Sequence, residues 1–226
     1  MSNILILGGT TEASALAAQL AFRGDTATLS YAGRVAQPRA QPIPVRVGGF
    51  GGIDGLADYL ADRHVTHLVD ATHPFAAQMN ANAVTAAARV GVAHIALTRP
   101  AWAPVAGDNW THVADIDAAV AALAGSPRRI LLALGRMHVD AFAAQPQHHY
   151  QLRFVDAPDH PPSLPDHHLI VCKNAGGTGA QAKLVAARAL ALPVLMIDRP
   201  PLPQRREVHA VDDVLNWLDH GADRGV

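Results

Sequence analysis

The chain has 226 residues, of which 50% are hydrophobic and 16% charged, with a net charge of -1; it can bury a core and has no electrostatic bias toward nucleic acid or a membrane surface. One cysteine, Cys172, excludes an internal disulfide framework, and no apolar stretch approaches the ~18 residues that span a bilayer. The opening lacks the basic and apolar segments of an export signal, so a cytoplasmic location is expected.

Asn3 is followed by the unbroken apolar run Ile4-Leu7, which suits a parallel strand buried on both faces. The run ends in Gly8-Gly9, and Thr10 or Thr11 can cap a helix carrying Leu16, Ala17 and Leu20 at helical spacing. Strand, glycine turn and capped helix form the entry to a dinucleotide-binding unit, where bare backbone and a helix N-terminus meet a pyrophosphate. The stretch Gly8-Gly9-Thr10-Thr11-Glu12-Ala13 departs from the full G-x-G-x-x-G pattern, so a tight turn in an ordinary α/β domain is the alternative.

Thr26 to Tyr31 reads as the second strand, and Ala32-Gly33-Arg34 as the turn beyond it. An NAD-binding unit places an acid near this position, but Ser30 and Arg34 stand there, a hydroxyl and a guanidinium suited to a 2'-phosphate. NADP(H) is therefore favoured over NAD(H). A short strand over Pro42 to Val47 precedes Gly48-Gly49-Phe50-Gly51-Gly52, a turn that either presents Phe50 to a ligand or pins it in the core. A helix containing Gly55 to Leu60 follows, then the strand His67-Asp70 and the turn Ala71-Thr72-His73-Pro74. Pro74 suits the first turn of a helix running from Phe75 to Val90. Asp70, Thr72 and His73 thus fall at a strand's carboxyl end, where doubly wound sheets bind ligands; His73 is a candidate proton relay or a cap.

The fifth strand, Val92 to Leu97, ends in Thr98-Arg99-Pro100, and the prolines and glycine over residues 99–110 mark a linker. Residues 1–98 are expected to form a nucleotide-binding domain and residues 111–226 a second lobe. In that lobe a helix is expected over Ile116 to Leu123, with strands at Arg129 to Leu134, Tyr150 to Val155, Leu169 to Cys172 and Pro193 to Asp198. A helix rich in alanine and leucine follows Lys183, and Val211 to Leu218 makes the last one. Arg-Pro closes both halves, at Arg99-Pro100 and Arg199-Pro200, a weak internal repeat. Arg99, Arg136, Lys173 and Arg199 then stand at strand ends that could line a cationic cleft between two lobes. The only lysines of the chain, Lys173 and Lys183, lie in this second half, so Lys173-Asn174-Ala175-Gly176-Gly177 is a site candidate.

Several chemistries drop out. Gly177 to Lys183 fails G-x-x-x-x-G-K-[ST], no tyrosine has a lysine four residues on, and no G-x-S-x-G is present. The 13 histidines form no metal-binding motif, and no metal is expected.

Taken in order, these pieces resemble the precorrin-6A reductases of cobalamin biosynthesis. The resemblance rests on Leu7-Gly8-Gly9-Thr10-Thr11-Glu12-Ala13, Ala32-Gly33-Arg34, the Gly48-Gly52 turn, Asp70 to Ala76, Arg99-Pro100, Gly135-Arg136 and Lys173 to Gly177. It implies two Rossmann-like lobes of mainly parallel sheet with the active site between them. It also implies NADPH-dependent reduction of one macrocyclic double bond, hydride to C19 and proton to C18, giving precorrin-6B. On this resemblance Gly8, Gly9, Thr10, Thr11 and Glu12 hold the cofactor backbone, and Ser30, Gly33 and Arg34 the 2'-phosphate end. Thr72 and His73 sit near the nicotinamide, and Arg99, Arg136, Lys173, Asn174 and Arg199 meet substrate carboxylates. His73 and Lys173 are the candidate proton donors, with a bound water or the substrate's own carboxyl as alternatives. The rival readings are a cobalt-precorrin-6A reductase and a non-catalytic NADP(H) sensor.

Overall fold

A computed structural model describes residues 2–33, 40–152 and 167–222. Arg34 lies outside them, and of Arg136 only the backbone is described. The chain divides into two compact units, one made of residues 1–99 and 201–226, the other of residues 100–200. Both are built on parallel sheets, as the sequence leads one to expect of an α/β protein.

The first unit begins with β1 (Asn3–Leu7), α1 (Thr11–Arg23) and β2 (Thr26–Tyr31), followed by β3 (Val45–Val47), α2 (Gly52–Asp62) and β4 (His67–Asp70). Then come α3 (Ala77–Val90) and β5 (Ala93–Leu97). Residues of β1 alternate between two cores: Ile4 and Ile6 pack with Leu16, Leu20 and Leu29, while Leu5 and Leu7 pack with Leu56, Leu60 and Leu68. Burial on both faces is what an unbroken apolar run achieves in a covered sheet. The helix after β4 starts at Ala77, two residues beyond the expected Phe75, because Pro74, Phe75 and Ala76 form a turn in which the Ala76 amide donates to the His73 carbonyl at 2.8 Å.

The second unit contains β6 (Trp110–Val113), α4 (Ile116–Ala121), β7 (Arg129–Ala133), two short 3-10 turns (Arg136–His138 and Asp140–Ala144) and β8 (His149–Leu152). It is completed by β9 (Leu169–Lys173), α5 (Ala182–Ala189) and β10 (Val194–Ile197). Its strand order is β6-β10-β9-β7-β8, with every pairing parallel. Of the strand expected over Tyr150 to Val155, residues 153–155 lie outside the described residues.

Two boundaries differ from the sequence reading. The second unit does not run to the C-terminus: β11 (Glu207–Val208) pairs parallel with β5, and Val214 and Leu218 of α6 (Val211–Ala222) lie in the same core as Ile4 and Leu16. The first sheet therefore has the order β3-β2-β1-β4-β5-β11, the doubly wound arrangement, with its last strand contributed from beyond residue 200. Nor are residues 99–110 a bare linker. Trp102 packs on the core of Ile170, Cys172 and Met196, and Arg188 Nε donates to Asp108 Oδ1 at 2.9 Å. No helix among the described residues is long and apolar enough to cross a membrane.

Candidate functional site

The strand order of the first unit reverses direction at β1 and β4, so the turns leaving these strands flank the position where open α/β sheets bind ligands. Gly8 lies close to β2: a Cβ there would stand 2.7 Å from Leu29 Cδ1 and force that buried side chain to shift, and the Gly8 amide donates to the Ser30 carbonyl at 2.9 Å. Gly9 adopts φ +126°, and nothing lies within 4 Å of where its Cβ would be, leaving open space beside the turn. Thr10 is the N-cap of α1; its Oγ1 accepts from the Ala13 amide at 3.2 Å and donates to the Ala71 carbonyl at 2.8 Å. One hydroxyl thereby caps the helix and joins the two turns.

Glu12 and Arg99 form a two-point ion pair: Arg99 Nε reaches Glu12 Oε1 at 2.8 Å and Nη2 reaches Oε2 at 2.7 Å, while Nη2 also donates to Thr11 Oγ1 at 3.1 Å. Burial raises the Glu12 carboxyl, but the hydrogen bonds and charge of Arg99 outweigh it and leave the group below its ordinary value of 4.5. Arg99, expected among the substrate cations, is thus the partner of the first helix turn.

At the exit of β4, Asp70 is a hub. Its Oδ1 accepts from the Thr72 amide at 3.1 Å and the Thr72 hydroxyl at 2.7 Å, and its Oδ2 accepts from Arg205 Nη1 at 2.9 Å. The Asp70 and Arg205 side chains are only 0% and 4% exposed. Arg205 also reaches Asn80 Oδ1 and Glu207 Oε1, the latter at 3.0 Å. This pair holds the Thr72-His73 turn in shape. His73 Nδ1 accepts from the Phe75 amide at 3.2 Å, which in the neutral ring places the proton on Nε2.

Beside the end of β2 stands Arg46, the middle residue of β3, which no sequence motif marks. Ser30, 4% exposed, does not stand alone there: Arg46 Nη1 donates to its Oγ at 3.1 Å. Gly33 has φ +78°, so the turn leaving the strand is left-handed at that residue. Phe50 is fixed by packing, edge-on to Tyr59 at 5.1 Å and beneath the Arg46 guanidinium at 3.8 Å. Its role is therefore in the core and under a cation, resolving the choice that the glycine-rich turn left open.

In the second unit the polar residues gather at the exits of β7, β9 and β10. Lys173 Nζ lies 2.7 Å from His138 Nε2, a contact between the last residue of β9 and the turn after β7. Asn174 is buried and pairs with the backbone of Trp102, accepting from its amide at 2.8 Å and donating to its carbonyl at 2.9 Å. Arg199 donates to the Asn174 and Ala175 carbonyls at 3.0 and 3.3 Å. Lys183 stands 4.5 Å over the Trp102 ring and donates to the Ala180 carbonyl. Cys172 is buried below this segment with its thiol pushed up to about 11 by burial, which Lys183 only partly offsets, so it is no nucleophile. Arg99 and Arg199 do repeat one another: each follows a strand and reaches the polar turn after another strand of its own unit.

Arg46, Arg205 and His138 were not singled out by the sequence. His138 sits two residues after Arg136 at the same strand exit, so a wider reading of Gly135-Arg136-Met137-His138 would have found it. Arg205 answers a carboxylate 135 residues away, and no local signal marks that pairing.

Comparison with known proteins agrees with this architecture. The sequence model of the precorrin-6x reductase family CbiJ/CobK matches residues 3–169 and 165–219. The precorrin-6A reductase of Rhodobacter capsulatus is 52% identical with 100% of both chains covered, and that of Sinorhizobium sp is 45% identical over 96% of this chain and 92% of its own. A solved structure of the CobK precorrin-6A reductase superposes with a TM-score of 0.89 at 51% identity, covering 100% of this chain and 98% of that one. A doubly wound first sheet, a glycine turn at its reversal point and similarity along the full length lead to one conclusion: the chain belongs to the precorrin-6x reductase family.

Proposed function

We propose that this protein is a precorrin-6A reductase that uses NADPH to reduce the C18=C19 bond of the macrocycle and so forms precorrin-6B. The observation that carries the reading is the 52% identity to a precorrin-6A reductase over 100% of both chains. The residues at the exits of β1 and β4 suit a nicotinamide dinucleotide. Gly9 leaves open space beside the turn, and α1 offers the free amides of its first turn toward an anion. The negative charge of Glu12 would oppose a pyrophosphate, and its ion pair with Arg99 removes that conflict.

When bound, a reduced nicotinamide supplies the hydride; the protein has to orient the partners and provide a proton. Gly8, Gly9, Thr10, Thr11 and Glu12 are assigned to the cofactor backbone, with Thr72 and His73 toward its nicotinamide. Ser30, Gly33 and Arg34 are assigned to the adenosine end, Arg34 lying outside the described residues. Arg136, Lys173, Asn174 and Arg199 are assigned to the carboxylate-rich substrate. Asn174 and Arg199 act there by fixing the loop that carries Lys173, since their polar atoms engage its backbone and that of Trp102. Arg99 contributes through Glu12. His73 and Lys173 are the two candidate donors of the proton.

Purified protein mixed with NADPH and precorrin-6A should oxidise the cofactor and shift the corrinoid spectrum. Nucleotide binding with no turnover would instead identify a sensor, and turnover confined to the cobalt-loaded macrocycle would move the protein to the metal-containing substrate. His73→Asn and Lys173→Met, assayed separately, should distinguish the donor by a rate loss of about 100-fold or more in one of them. Near-normal rates in both would leave water or a substrate carboxyl as the source.

A further inference from the structure

Arg46 has an unusual environment for a cation. In β3 it is in register with Ser30 of β2, and its side chain reaches that residue and the carbonyls of the turn after β3. Nη1 donates to Ser30 Oγ at 3.1 Å and to the Gly48 carbonyl, and Nη2 donates to the Gly49 carbonyl at 2.7 Å. The guanidinium carbon stands 3.8 Å over the Phe50 centroid and 5.2 Å from the Tyr59 centroid. All these partners are neutral. Among the described residues no carboxylate pairs with Arg46, and the stretch 34–39 that follows Gly33 contains no acid. Arg23, Arg89, Arg99, Arg188 and Arg205, in contrast, each hold an aspartate or glutamate. The contacts of Arg46 fix its plane without neutralising it, and they leave Nε-H and one Nη2-H along the remaining edge of the fork.

We infer that Arg46 is the residue that selects the 2'-phosphate of the nucleotide, with Ser30 as its positioning residue; this rests on the nicotinamide reading of the first unit. The exit of the second strand is where a doubly wound domain discriminates the adenine-ribose 2' substituent. A phosphate there gives a rigid, half-buried guanidinium a two-oxygen partner and the counter-charge it lacks. A 2'-hydroxyl in the same place supplies neither, so selectivity comes from a cation left unsatisfied by the wrong nucleotide. Ser30 is 4% exposed, which makes its hydroxyl a strut for Arg46 rather than a surface for the ligand. The stack on Phe50 gives the glycine-rich turn a function in the same device: it supplies the ring and the two carbonyls that hold the cation in plane.

The test is a fluorescence titration of the full-length protein with NADPH and with NADH, on wild type, Arg46→Ala, Arg46→Lys, Ser30→Ala and Arg34→Ala. Arg46→Ala should weaken NADPH binding by roughly tenfold to a hundredfold and leave NADH within about twofold, so that the preference collapses. Arg46→Lys keeps the charge and the stem over Phe50 but lacks the fork, and should lose part of the preference; it decides the matter if the alanine variant does not fold. Ser30→Ala should shift the preference in the same direction by less. An unchanged ratio of NADPH to NADH affinity in both Arg46 variants overturns the assignment, as does a loss of preference confined to Arg34→Ala. A wild type that binds neither nucleotide overturns the nicotinamide reading itself, a result distinct from either of these.

Discussion

Arg99, Lys173 and Arg199 look alike in the sequence, each a cation at a strand end, yet each has a different local duty. Arg99 neutralises Glu12, Arg199 gathers the carbonyls of Asn174 and Ala175, and Lys173 meets His138. Their positions were legible because strand ends follow from apolar runs; their partners were not, because a hydrogen bond to a backbone carbonyl leaves no trace in side-chain spacing. Gly176 shows how tightly the loop after β9 is built. It has φ +70°, and a Cβ there would come 2.2 Å from the Pro100 carbonyl oxygen and 2.5 Å from Arg199 Nη2. Gly176→Ala combines a strained backbone with a clash against main chain, so it should destabilise by at least ~1 to 3 kcal/mol and weaken substrate binding more than NADPH binding. Denaturant melts, together with separate titrations of cofactor and substrate, check this; equal loss of both ligands would show that the loop is not confined to the substrate side.

At the scale of elements, β1 and β4 were readable because a strand covered on both faces can be apolar throughout. β3 inverts the usual expectation: Val45 and Val47 are 41% and 55% exposed while Arg46 turns inward. Alternation alone assigns such a strand's faces the wrong way round, and an inward charge is also a known safeguard for an edge strand. β6 and β11 carry no strand signal for another reason. β6 is Trp-Thr-His-Val with its two middle residues exposed, and β11 has two residues, so neither carries an apolar run. β11 is held by its pairing with β5 and by the packing of Val208, and just before it the Arg205 side chain enters the buried site of Asp70 and Asn80. Arg205→Ala leaves Asp70 as a buried carboxylate without its counter-charge and should cost about 3 to 5 kcal/mol, read as a lower denaturation midpoint. Adding Asp70→Asn to Arg205→Met should recover part of that loss; no recovery would locate the cost in packing instead.

For the molecule as a whole, acid stability follows from its half-buried histidines. Burial lowers the His94 pKa below its ordinary 6.5, Arg205 lowers it further and Asp70 partly opposes this; its Nε2 is buried with no hydrogen-bond partner. His67 and His167 are lowered chiefly by burial as well. A histidine held neutral in the fold binds its proton more readily when unfolded, so stability is full above about pH 6.5 and declines as the pH falls toward the lowered folded values. The carboxyls of Glu12 and Asp108, whose pKa values are lowered, extend the decline to more acid pH, since their contribution is complete only above their ordinary 4.5 and 3.8. Thermal melts from about pH 8 to about pH 5 should show this fall, and His94→Leu should flatten its upper part. An unaltered slope would assign the effect to the other histidines.

The late arrival of β11 and α6 sets an order of events during synthesis. When residue 99 has left the ribosome, β5 still has a bare edge and the core of Ile4, Leu16 and Leu29 still lacks Val214 and Leu218. Another 101 residues, the whole segment 100–200, must be made before the missing pieces appear. The nascent first unit therefore spends that interval with apolar surface and an unpaired strand exposed, while the segment 100–200 has all its described strands as soon as β10 emerges. A ribosome that stops early leaves behind a chain whose first half has no complete sheet.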